Sequence, residues 1–427
     1  MPRRRRTARE AAAARRARGQ ARVDRRGAPL DGWPHPDARR DRGRHAPVPS
    51  HDSGRGIGGA ARQAGARFAD VLPYLNERGR SIAVMQSNSS FTVGGSLSVN
   101  CHGWQHDRPP IASTVRSFRL MRADGSVVRC SRDENAELFS LALGGYGMFG
   151  IILDVDLETV PNETYTLDRY FADASGFRAA FEEHGARTDV GMCYGRLDVS
   201  PDHFLESAIL NVFVRAPAAP TPAPPLAEPS IPYLKRLVFR GQVGSAYGKR
   251  LRWMLERRVD EMLASGGTVW RNQLLAEEVG IYEGRSASST DILHEYFVPR
   301  DRFADFVADM RGIIPARNGD LLNVTIRMVE RDDDAFLRYA DQPMFSLVLL
   351  FAQPRTPDGD ASMEGLTREL IDAAYARGGR YYLPYRLAAT KKQLDACYPQ
   401  ARAFFDAKRR YDPGELFQSK FYARYGR

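Results

Sequence analysis

Two glycine-rich stretches contain the residues best suited to hold a ligand. The first, FTVGGSLSVNCHG (91–103), has the adjacent glycines Gly94 and Gly95 and ends on a Cys-His-Gly run that includes His102. The second, GGYGMFG (144–150), again places several glycines beside a strand-like run. Glycines weaken a strand unless a close backbone approach or a positive φ is needed. The two stretches therefore predict a binding surface for a large planar ligand.

The residues after the first glycine pair strengthen this interpretation. Ser96, Ser98 and Asn100 alternate with Leu97 and Val99. In a strand, this alternation would give one small polar face and one apolar face. A ligand could then lie on backbone amides and hydroxyls. The competing interpretation is a pair of ordinary glycine-rich turns, because glycine motifs are common.

A second group of candidates lies on the run LLNVTIRMV (321–329). Asn323, Thr325 and Arg327 alternate along it, so they share one face of a predicted strand. Such a polar face either meets solvent or lines a cleft. Both interpretations stay open on the strand pattern alone.

A third group lies in YYLPYR (381–386), where Tyr382, Tyr385 and Arg386 stand together. Aromatic pairs are more often part of a core, but the neighbouring arginine favours the wall of a cleft. His106 follows His102 by four residues and is either a second cleft residue or part of a surface loop.

The net charge of +10 comes entirely from the first 60 residues. That segment holds 16 arginines against 6 acidic residues, and the rest of the chain holds 46 basic and 46 acidic residues. A nucleic-acid-binding body needs its own basic patch with interleaved aromatic residues. The balanced remainder therefore argues against nucleic acid as a partner.

Residues 1–60 have too few apolar residues to bury a face and are predicted to be disordered. A basic arm for nucleic acid or anionic lipid and a targeting peptide are two interpretations. The third is a segment that is not native to the protein, read in the wrong frame of a GC-rich gene. The chain has 56 arginines against 6 lysines, which indicates a GC-rich source, so we expect the third.

The cysteines and the hydropathy pattern limit other classes of protein. The four cysteines stand far apart and form no CxxC pair, so neither a zinc site nor a disulfide framework is indicated. We expect no metal and a reducing, cytoplasmic location. The sequence has no run of 18 apolar residues, so no integral membrane segment is expected.

The apolar periodicity predicts an α+β fold that begins near Arg62. In the first module, 62–161, apolar residues at i, i+3, i+4 and i+7 predict a helix over 66–79. We expect strands at 81–85, within 91–100, at 115–123, 126–130 and 151–160, a hairpin turn at ADG (123–125) and a helix at 134–143.

The pattern changes after Pro161 to a second α+β module, 162–385. We expect helices at 177–185, near 301–313 and at 362–377, and strands at 190–199, 207–215, 292–299, 321–329 and 345–353. The proline-rich segment 216–232 is predicted to be a surface loop or a linker. Strands with helices on one side predict an antiparallel sheet that roofs a ligand site.

The order of these features resembles the FAD-binding PCMH-type flavoproteins of the vanillyl-alcohol oxidase superfamily. The matching segments are AGARFADVLPYLNERG, TVGGSLSVNCHG, the strand–ADG–strand hairpin and ENAELFSLALGGYGMFGIILDVDLETVP. The tail YPQARAFFDAKRRYDPGELFQSKFY also matches. The chain looks most similar to the aldonolactone oxidases and the decaprenylphosphoryl-ribose oxidases. This resemblance implies FAD as the cofactor, with 62–161 as the second lobe of the FAD-binding domain, 162–385 as the substrate domain and 386–427 as a segment that returns to the FAD domain.

The resemblance also implies residue roles. His102 falls beside the flavin ring, where relatives either attach FAD covalently or leave the histidine free; we expect noncovalent FAD. Arg327 falls where the ribose oxidases have a lysine near the flavin. Tyr382 and Tyr385 fall at their active-site Tyr and Lys, and the change at Tyr385 puts a ribose-lipid substrate in doubt. The expected catalytic residues are therefore His102, Arg327, Tyr382 and Tyr385, with Asn323 and Arg386 at the substrate. The residues expected to contact FAD are Thr92, Gly94, Gly95, Ser96, Ser98, Asn100, His102, Gly103, Gly145, Gly147, Gly150 and Ile151.

The function that the resemblance implies is FAD-dependent oxidation of a CH–OH group of a sugar, aldonolactone or polyol. Hydride would pass to flavin N5, and His102 or Tyr382 would accept or position the hydroxyl proton. The electron acceptor, O2 or another, stays open. The alternatives are an FAD-linked C=C reductase of the same superfamily and a basic nucleic-acid-binding protein.

The chain departs from the family at its start. Relatives begin with a βαβ lobe whose loop holds the FAD pyrophosphate, and 1–60 stands in its place. GRGIGGA (54–60) has no apolar strand before it, so it does not read as that loop. The incomplete first lobe predicts weak FAD binding and an exposed apolar face near Phe68 and Leu72.

Overall fold

The computed structural model describes residues 59–217, 223–226, 232–264, 267–276, 284 and 286–427. Predictions about 1–58 and about much of the proline-rich segment 216–232 fall outside these residues. The described residues form two antiparallel sheets with helices against them, so the predicted α+β class is confirmed. None of the helices in this part of the chain is both long and apolar enough to cross a bilayer.

The first sheet is built around one long strand. Its strands are β1 (Gly59–Gln63), β2 (Arg80–Ile82), β3 (Val115–Met121), β4 (Val127–Ser131) and β5 (Ile151–Pro161). They run in the order β1-β5-β3-β4, with β2 also paired to β5, and every pair is antiparallel. The predicted ADG hairpin is present: Gly125 has φ 81°, and Asp124 Oδ1 accepts a bond from Ser126 N at 2.9 Å.

Three helices complete this module: α1 (Phe68–Asn76), α2 (Val93–Ser98) and α3 (Ala136–Ala142). The predicted apolar face of α1 is present, but its predicted exposure is wrong. Phe68 and Leu72 are fully buried. They belong to the main core, where the apolar side of α1 packs with the rest of the module. The fold also begins earlier than Arg62, because β1 pairs with β5 from Gly59 onward.

The prediction of a strand within 91–100 is also wrong, because α2 forms there. Thr92 precedes the helix with an extended backbone, and its hydroxyl accepts a bond from Gly95 N at 3.1 Å, as in a helix N-cap. Val93 and Leu97, one turn apart, are both buried. Alternating small polar residues fit a helix as well as a strand, and the threonine cap together with this buried pair accounts for the helix.

The second sheet contains eight strands: β6 (Thr164–Asp173), β7 (Val190–Leu197), β8 (Ser207–Arg215), β9 (Val269–Trp270), β10 (Ser289–Pro299), β11 (Asp320–Val329), β12 (Met344–Pro354) and β13 (Arg380–Tyr381). Their order is β13-β10-β12-β11-β7-β8-β6-β9, and neighbouring strands are antiparallel. The expected antiparallel roof is therefore present as a sheet.

Helices surround the second sheet: α4 (Phe177–Ala180), which continues as one π turn (Phe181–Gly185), α5 (Pro232–Arg240), α6 (Ala246–Ala264), α7 (Arg271–Leu275), α8 (Phe303–Ala316) and α9 (Pro357–Ala376). Helix α9 contacts β10 and β12, and α8 contacts β10. On β10, His294 bonds Thr367 of α9, whereas Glu295 lies on the opposite face by strand alternation. That opposite face therefore carries the Glu295 side chain.

The chain ends in α10 (Lys391–Cys397), α11 (Ala401–Tyr411) and α12 (Lys420–Tyr425). These helices pack against the glycine-rich loop of the first module, with Phe404 at 5.1 Å from Phe149 and Phe421 at 5.2 Å from Tyr146 between ring centroids. Lys408 and Asp412 form a buried ion pair. Asp412 also accepts bonds from two backbone amides of the loop after α11. The pair therefore fixes the turn between α11 and α12.

Asp412→Asn is expected to lower the free energy of unfolding by about 3–5 kcal/mol, because it leaves the buried Lys408 ammonium without a counter-charge. Asp395→Asn is the matched control, since Asp395 and Lys391 form an exposed pair at the same i, i+4 spacing on α10. The control should lose at most about 1 kcal/mol. Denaturant unfolding followed by circular dichroism measures both. Similar small losses in the two variants would contradict this account of the turn.

Candidate active site

One cavity of about 460 Å³ lies between the first module and the second sheet. Seven residues that the sequence singled out as site residues line it together: Gly95, Ser96, His102, Asn323, Arg327, Tyr382 and Tyr385. The other lining residues are Gln86, Ser87, Asn88, Phe91, Val99, Cys101, Trp104, Arg196, Leu293, Glu295, Thr325, Val348, Leu350 and Pro384. The structure therefore brings the glycine-rich segment, the polar face of β11 and the tyrosine segment to one place.

The roof of the cavity is the face of the second sheet opposite α9. Alternation along β11 places Asn323, Thr325 and Arg327 on this face. The neighbouring strands contribute Leu293 and Glu295 from β10, and Val348 and Leu350 from β12. The polar interpretation of 321–329 as a cleft wall therefore has geometric support over the solvent-facing one.

A short hydrogen bond joins the two modules inside the cavity wall. His102 Nε2 lies 2.5 Å from Glu295 Oε1, and both side chains are almost fully buried. Glu295 also accepts bonds from Ser346 Oγ at 2.6 Å and from Tyr385 OH at 3.2 Å. Three groups thus converge on one carboxylate, as a buried charge requires.

The charge states of the pair follow from burial and neighbours. Burial lowers the pKa of His102, and the positive charge of Arg327 lowers it further against the opposing effect of Glu295. Burial alone would raise the pKa of Glu295, but His102, Arg327 and the Ser346 bond outweigh it, so that pKa lies below its usual value. At neutral pH, Glu295 is therefore ionised and His102 is neutral.

Arg327 spans the cavity from β11 to the first module. Its Nη1 donates to the His102 carbonyl oxygen at 3.3 Å, and its Nη2 donates to Ser87 Oγ at 3.2 Å. Thr325, two residues earlier, accepts a bond from Arg196, which also donates to Asn323 at 3.0 Å. Arg196 and Arg252 thus bond the Asn323 end of the polar face of β11, and Arg327 occupies its other end.

The two predicted tyrosines occupy different positions. Tyr385 donates to Glu295, whereas Tyr382 donates to the backbone oxygen of Val99 at 2.7 Å. The ring centroid of Tyr382 lies 6.0 Å from that of His102. Burial raises the pKa of both hydroxyls well above the ordinary value, so both are protonated donors.

The remaining predicted FAD contacts do not line this cavity. Thr92 caps α2 and Ser98 donates to the Gly94 carbonyl. A Cβ on Gly94 would meet Ala64 at 2.9 Å, and one on Gly103 would meet Met85 O at 2.0 Å. Each of these four residues has a local structural role. Their contact with FAD stays a prediction.

The glycines of the second cluster and four further predicted residues also lie outside this cavity lining. Gly145 is packed so closely that a Cβ would meet Leu141 O at 2.0 Å. Gly147 and Gly150 have positive φ, and Ile151 is about half exposed. Asn100 forms hydrogen bonds with Asp332 and with the Ala112 amide. Arg386 donates to Gln353 and Asp360, and the His106 ring packs against Phe181.

Sequence reasoning missed Glu295, which lies within the apolar run ILHEYFVP (292–299). A charged residue in a strand that is otherwise buried needs a partner, and that signal was available. It missed Trp104 and Arg196 as well, and those two carry no comparable signal. Their position follows only from the tertiary fold.

The residues that line the cavity fit a ligand with both donors and acceptors along its edge. The buried atoms of these residues that have no hydrogen-bond partner within the described residues include the acceptors Gln86 Oε1 and His102 Nδ1, and the donors Trp104 Nε1 and Arg327 Nε. Buried polar atoms are rarely left unpaired, so they indicate a bound group. The pyrimidine edge of a flavin offers such a mixture of acceptors and a donor. Gly95, in the same wall, leaves room for a close approach.

Comparison with known proteins supports this fit. Residues 58–131 match the family model described as an FAD binding domain. The chain is 34% identical to L-gulonolactone oxidase of Mus musculus over 99 residues, which are 23% of this chain and 22% of that protein. It is 33% identical to D-arabinono-1,4-lactone oxidase of Debaryomyces hansenii over 102 residues (24% and 18%). It is 34% identical to mitochondrial L-galactono-1,4-lactone dehydrogenase 2 of Oryza sativa subsp. japonica over 98 residues (23% and 17%).

These alignments span about a fifth of the length of the curated relatives. The family-model match, 58–131, includes the glycine-rich segment and His102. Residues 58–131 therefore match an FAD-binding domain of the PCMH type, and FAD is the cofactor that this match supports.

Proposed function

We propose that the protein oxidises a CH–OH group of a sugar, aldonolactone or polyol, with FAD taking up the electrons. One observation carries this proposal: the buried ring of His102 lines the cavity beside the cation Arg327, and its Nδ1 has no hydrogen-bond partner among the residues that the structure describes. Burial and Arg327 hold the pKa of His102 below its usual value, so the ring is neutral. Oxidation of an alcohol needs such a proton acceptor. The names of the lactone oxidases to which about a quarter of the chain is similar support the substrate class.

In this proposal, residues 62–161 hold FAD, residues 162–385 hold the substrate, and residues 386–427 return to the first module. Bound FAD supplies a hydride acceptor at N5. His102 takes the hydroxyl proton. Arg327 would supply a fixed positive charge in the cavity wall, which favours a negatively charged reduced flavin bound there. Asn323 and Thr325 position the hydroxyls of the substrate.

The residues support oxidation better than reduction of a C=C bond. A reductase has to deliver a proton to carbon. The single N–H of neutral His102 is committed to Glu295, and the Tyr382 hydroxyl is committed to Val99. The free nitrogen of His102 can accept a proton and has none to give.

The test mixes the FAD-loaded protein anaerobically with each member of a panel of aldonolactones, aldoses and alditols. Reduction of the flavin is measured as bleaching of its absorbance. Excess FAD is supplied so that every protein molecule is loaded. Bleaching by at least one of these compounds is expected. If none reduces the flavin, whereas the chemically reduced protein is reoxidised by a conjugated enone, the C=C reductase is the better assignment.

Arg327→Met is expected to slow flavin reduction by roughly 10²-fold, because it removes the positive charge of Arg327 from the cavity wall. Arg331→Met is the matched control, since Arg331 is exposed, pairs with Asp333 and lies four residues further along the chain. Rapid-mixing measurement of the reductive step compares the two variants. Equal rates for both variants would remove Arg327 from the site.

Gly95→Val is expected to abolish retention of FAD. A side chain at this position enters the cavity wall, and its Cβ would lie 2.9 Å from the Thr92 hydroxyl that caps α2. Gly176→Val is the control, because a Cβ at Gly176 meets nothing within 4 Å. Bound flavin per protein is measured beside far-UV circular dichroism, so loss of the fold is recognised. Full flavin content in folded Gly95→Val would show that this segment does not hold the ring.

A further inference from the structure

Glu295 is unusual in the strand that carries it. Its neighbours on β10 are mostly buried and apolar, and its own side chain is almost fully buried. A carboxylate in such a place is costly unless donors surround it. All three of its partners are donors: the ring of His102 and the hydroxyls of Ser346 and Tyr385. An ionised carboxylate only accepts hydrogen bonds, so the nitrogen of His102 that faces it must carry the proton.

This requirement also fixes the protonation of the second ring nitrogen, Nδ1. A neutral imidazole has one N–H, so a proton on Nε2 leaves Nδ1 as an unprotonated acceptor. Nδ1 is buried and has no partner within the described residues. Aromatic rings enclose the imidazole, with Phe297, Tyr339 and Tyr382 at 5.3, 5.7 and 6.0 Å between centroids. They hold the ring against a flip that would exchange the two nitrogens.

We propose that Glu295 is a positioning residue: by accepting the Nε2 proton, it fixes the tautomer of His102 and makes Nδ1 the proton acceptor of the site. This inference rests on the proposed oxidation of a CH–OH group. It goes beyond that proposal, because it identifies Nδ1 as the nitrogen that accepts the proton and Glu295 as the residue that keeps Nδ1 unprotonated. Nothing in the sequence around His102 points to this partner, which lies 193 residues away.

The groups that face His102 support one working charge state. Glu295 on β10 and Arg327 on β11 are the charged groups, and they oppose each other in their effect on the pKa of His102. Cys101, Tyr339, Tyr382 and Tyr385 surround the site, and burial raises the pKa of each, so all four are neutral. Together with burial, the carboxylate and the guanidinium therefore set the protonation of the ring.

The proton balance of the step is complete. The O–H bond of the substrate breaks, and an N–H bond forms at His102 Nδ1. The electron pair of the O–H bond becomes the second bond of the new C=O group. The C–H bond breaks with its electron pair, which leaves as hydride to FAD, the oxidant of the step. The imidazolium then carries a proton on both nitrogens, and the Glu295 charge stabilises it until the Nδ1 proton is released.

The first test measures the tautomer without any turnover. The 15N chemical shifts of the histidine ring distinguish N–H from unprotonated nitrogen, and the His102→Asn spectrum assigns the signals. In the flavin-free and FAD-loaded wild type, we expect a protonated Nε2 and an unprotonated Nδ1. In Glu295→Leu, which lacks the acceptor, this preference is expected to be lost. Glu295→Gln retains an acceptor oxygen without the charge and should keep the tautomer.

His294 provides an internal control in the same spectra. It precedes Glu295 on β10 but points to the other face, where Tyr296 and Thr367 each lie 3.1 Å from one of its ring nitrogens. Its signals should not change in either Glu295 variant. A change at His294 would mean that the strand itself has moved, and the Glu295→Gln spectrum then decides the question.

The second test is the pH dependence of flavin reduction. In the wild type, the rate is expected to stay high as the pH falls past 6.5, the ordinary pKa of histidine, because the pKa of His102 lies below that value. Removing the Glu295 charge removes the effect that raises this pKa, so the inflection in Glu295→Gln moves to lower pH. In Glu295→Leu, we expect the rate to fall by roughly 10²-fold or more, as for loss of a general base.

Two results would overturn the proposal: an unchanged His102 tautomer with a wild-type rate in Glu295→Leu, or an inflection in Glu295→Gln that does not move. A merely structural role of Glu295 would slow the reaction without shifting the inflection. If the tautomer depends on Glu295 but no hydroxyl compound reduces the flavin of the wild type, the proposed function fails and the assignment of Glu295 stands. The two failures are therefore distinguishable.

Discussion

The contact between His102 and Glu295 is the constraint on which the site depends. It joins a loop of the first module to the second sheet through a 2.5 Å bond between two buried side chains. A buried carboxylate has to be surrounded by donors. The fold meets this demand with one residue from each of three places: the loop after α2, strand β12 and the segment after β13. The relative position of these segments is therefore coupled to the charge in the cavity.

A second set of bonds holds the His102 loop at its start. Tyr382 donates to Val99 O and Tyr339 to Asn100 O, at 2.7 and 2.6 Å. Asn100 has a positive φ and donates through its side chain to Asp332 at 2.7 Å. Burial raises the pKa of Asp332 to about 6. The carbonyls that end α2 are thus bonded to side chains of the second module, which orients the next residues toward the cavity.

The sequence predicted the elements that depend on local patterns. The apolar face of α1, the ADG hairpin and the strands on either side of it are present because periodicity and turn chemistry act within a few residues. The 91–100 segment was predicted wrongly because glycine and serine fit a helix or a strand, and the Thr92 cap was not weighed. The burial of Phe68 was also missed, since it depends on packing within the whole module.

The site residues divide in the same way. Gly95, His102, Arg327 and Tyr385 could be selected from the sequence because each stands in a distinctive local pattern or at a family position. Glu295 could not be matched to His102, because that pairing follows from the order of strands in the second sheet. The strand predictions did not extend to that order.

The mixture of apolar and polar walls explains why a single carboxylate has so much influence. Leu293, Val348 and Leu350 cover one part of the sheet face, and Glu295 and Arg327 lie among them. Apolar walls lower the local dielectric, so each charge acts more strongly on its neighbours than it would in water. In such surroundings, a hydrogen bond to one ring nitrogen decides the chemistry of the other. The apolar residues of β10 and β12 therefore contribute to the site through the strength they give to that one bond.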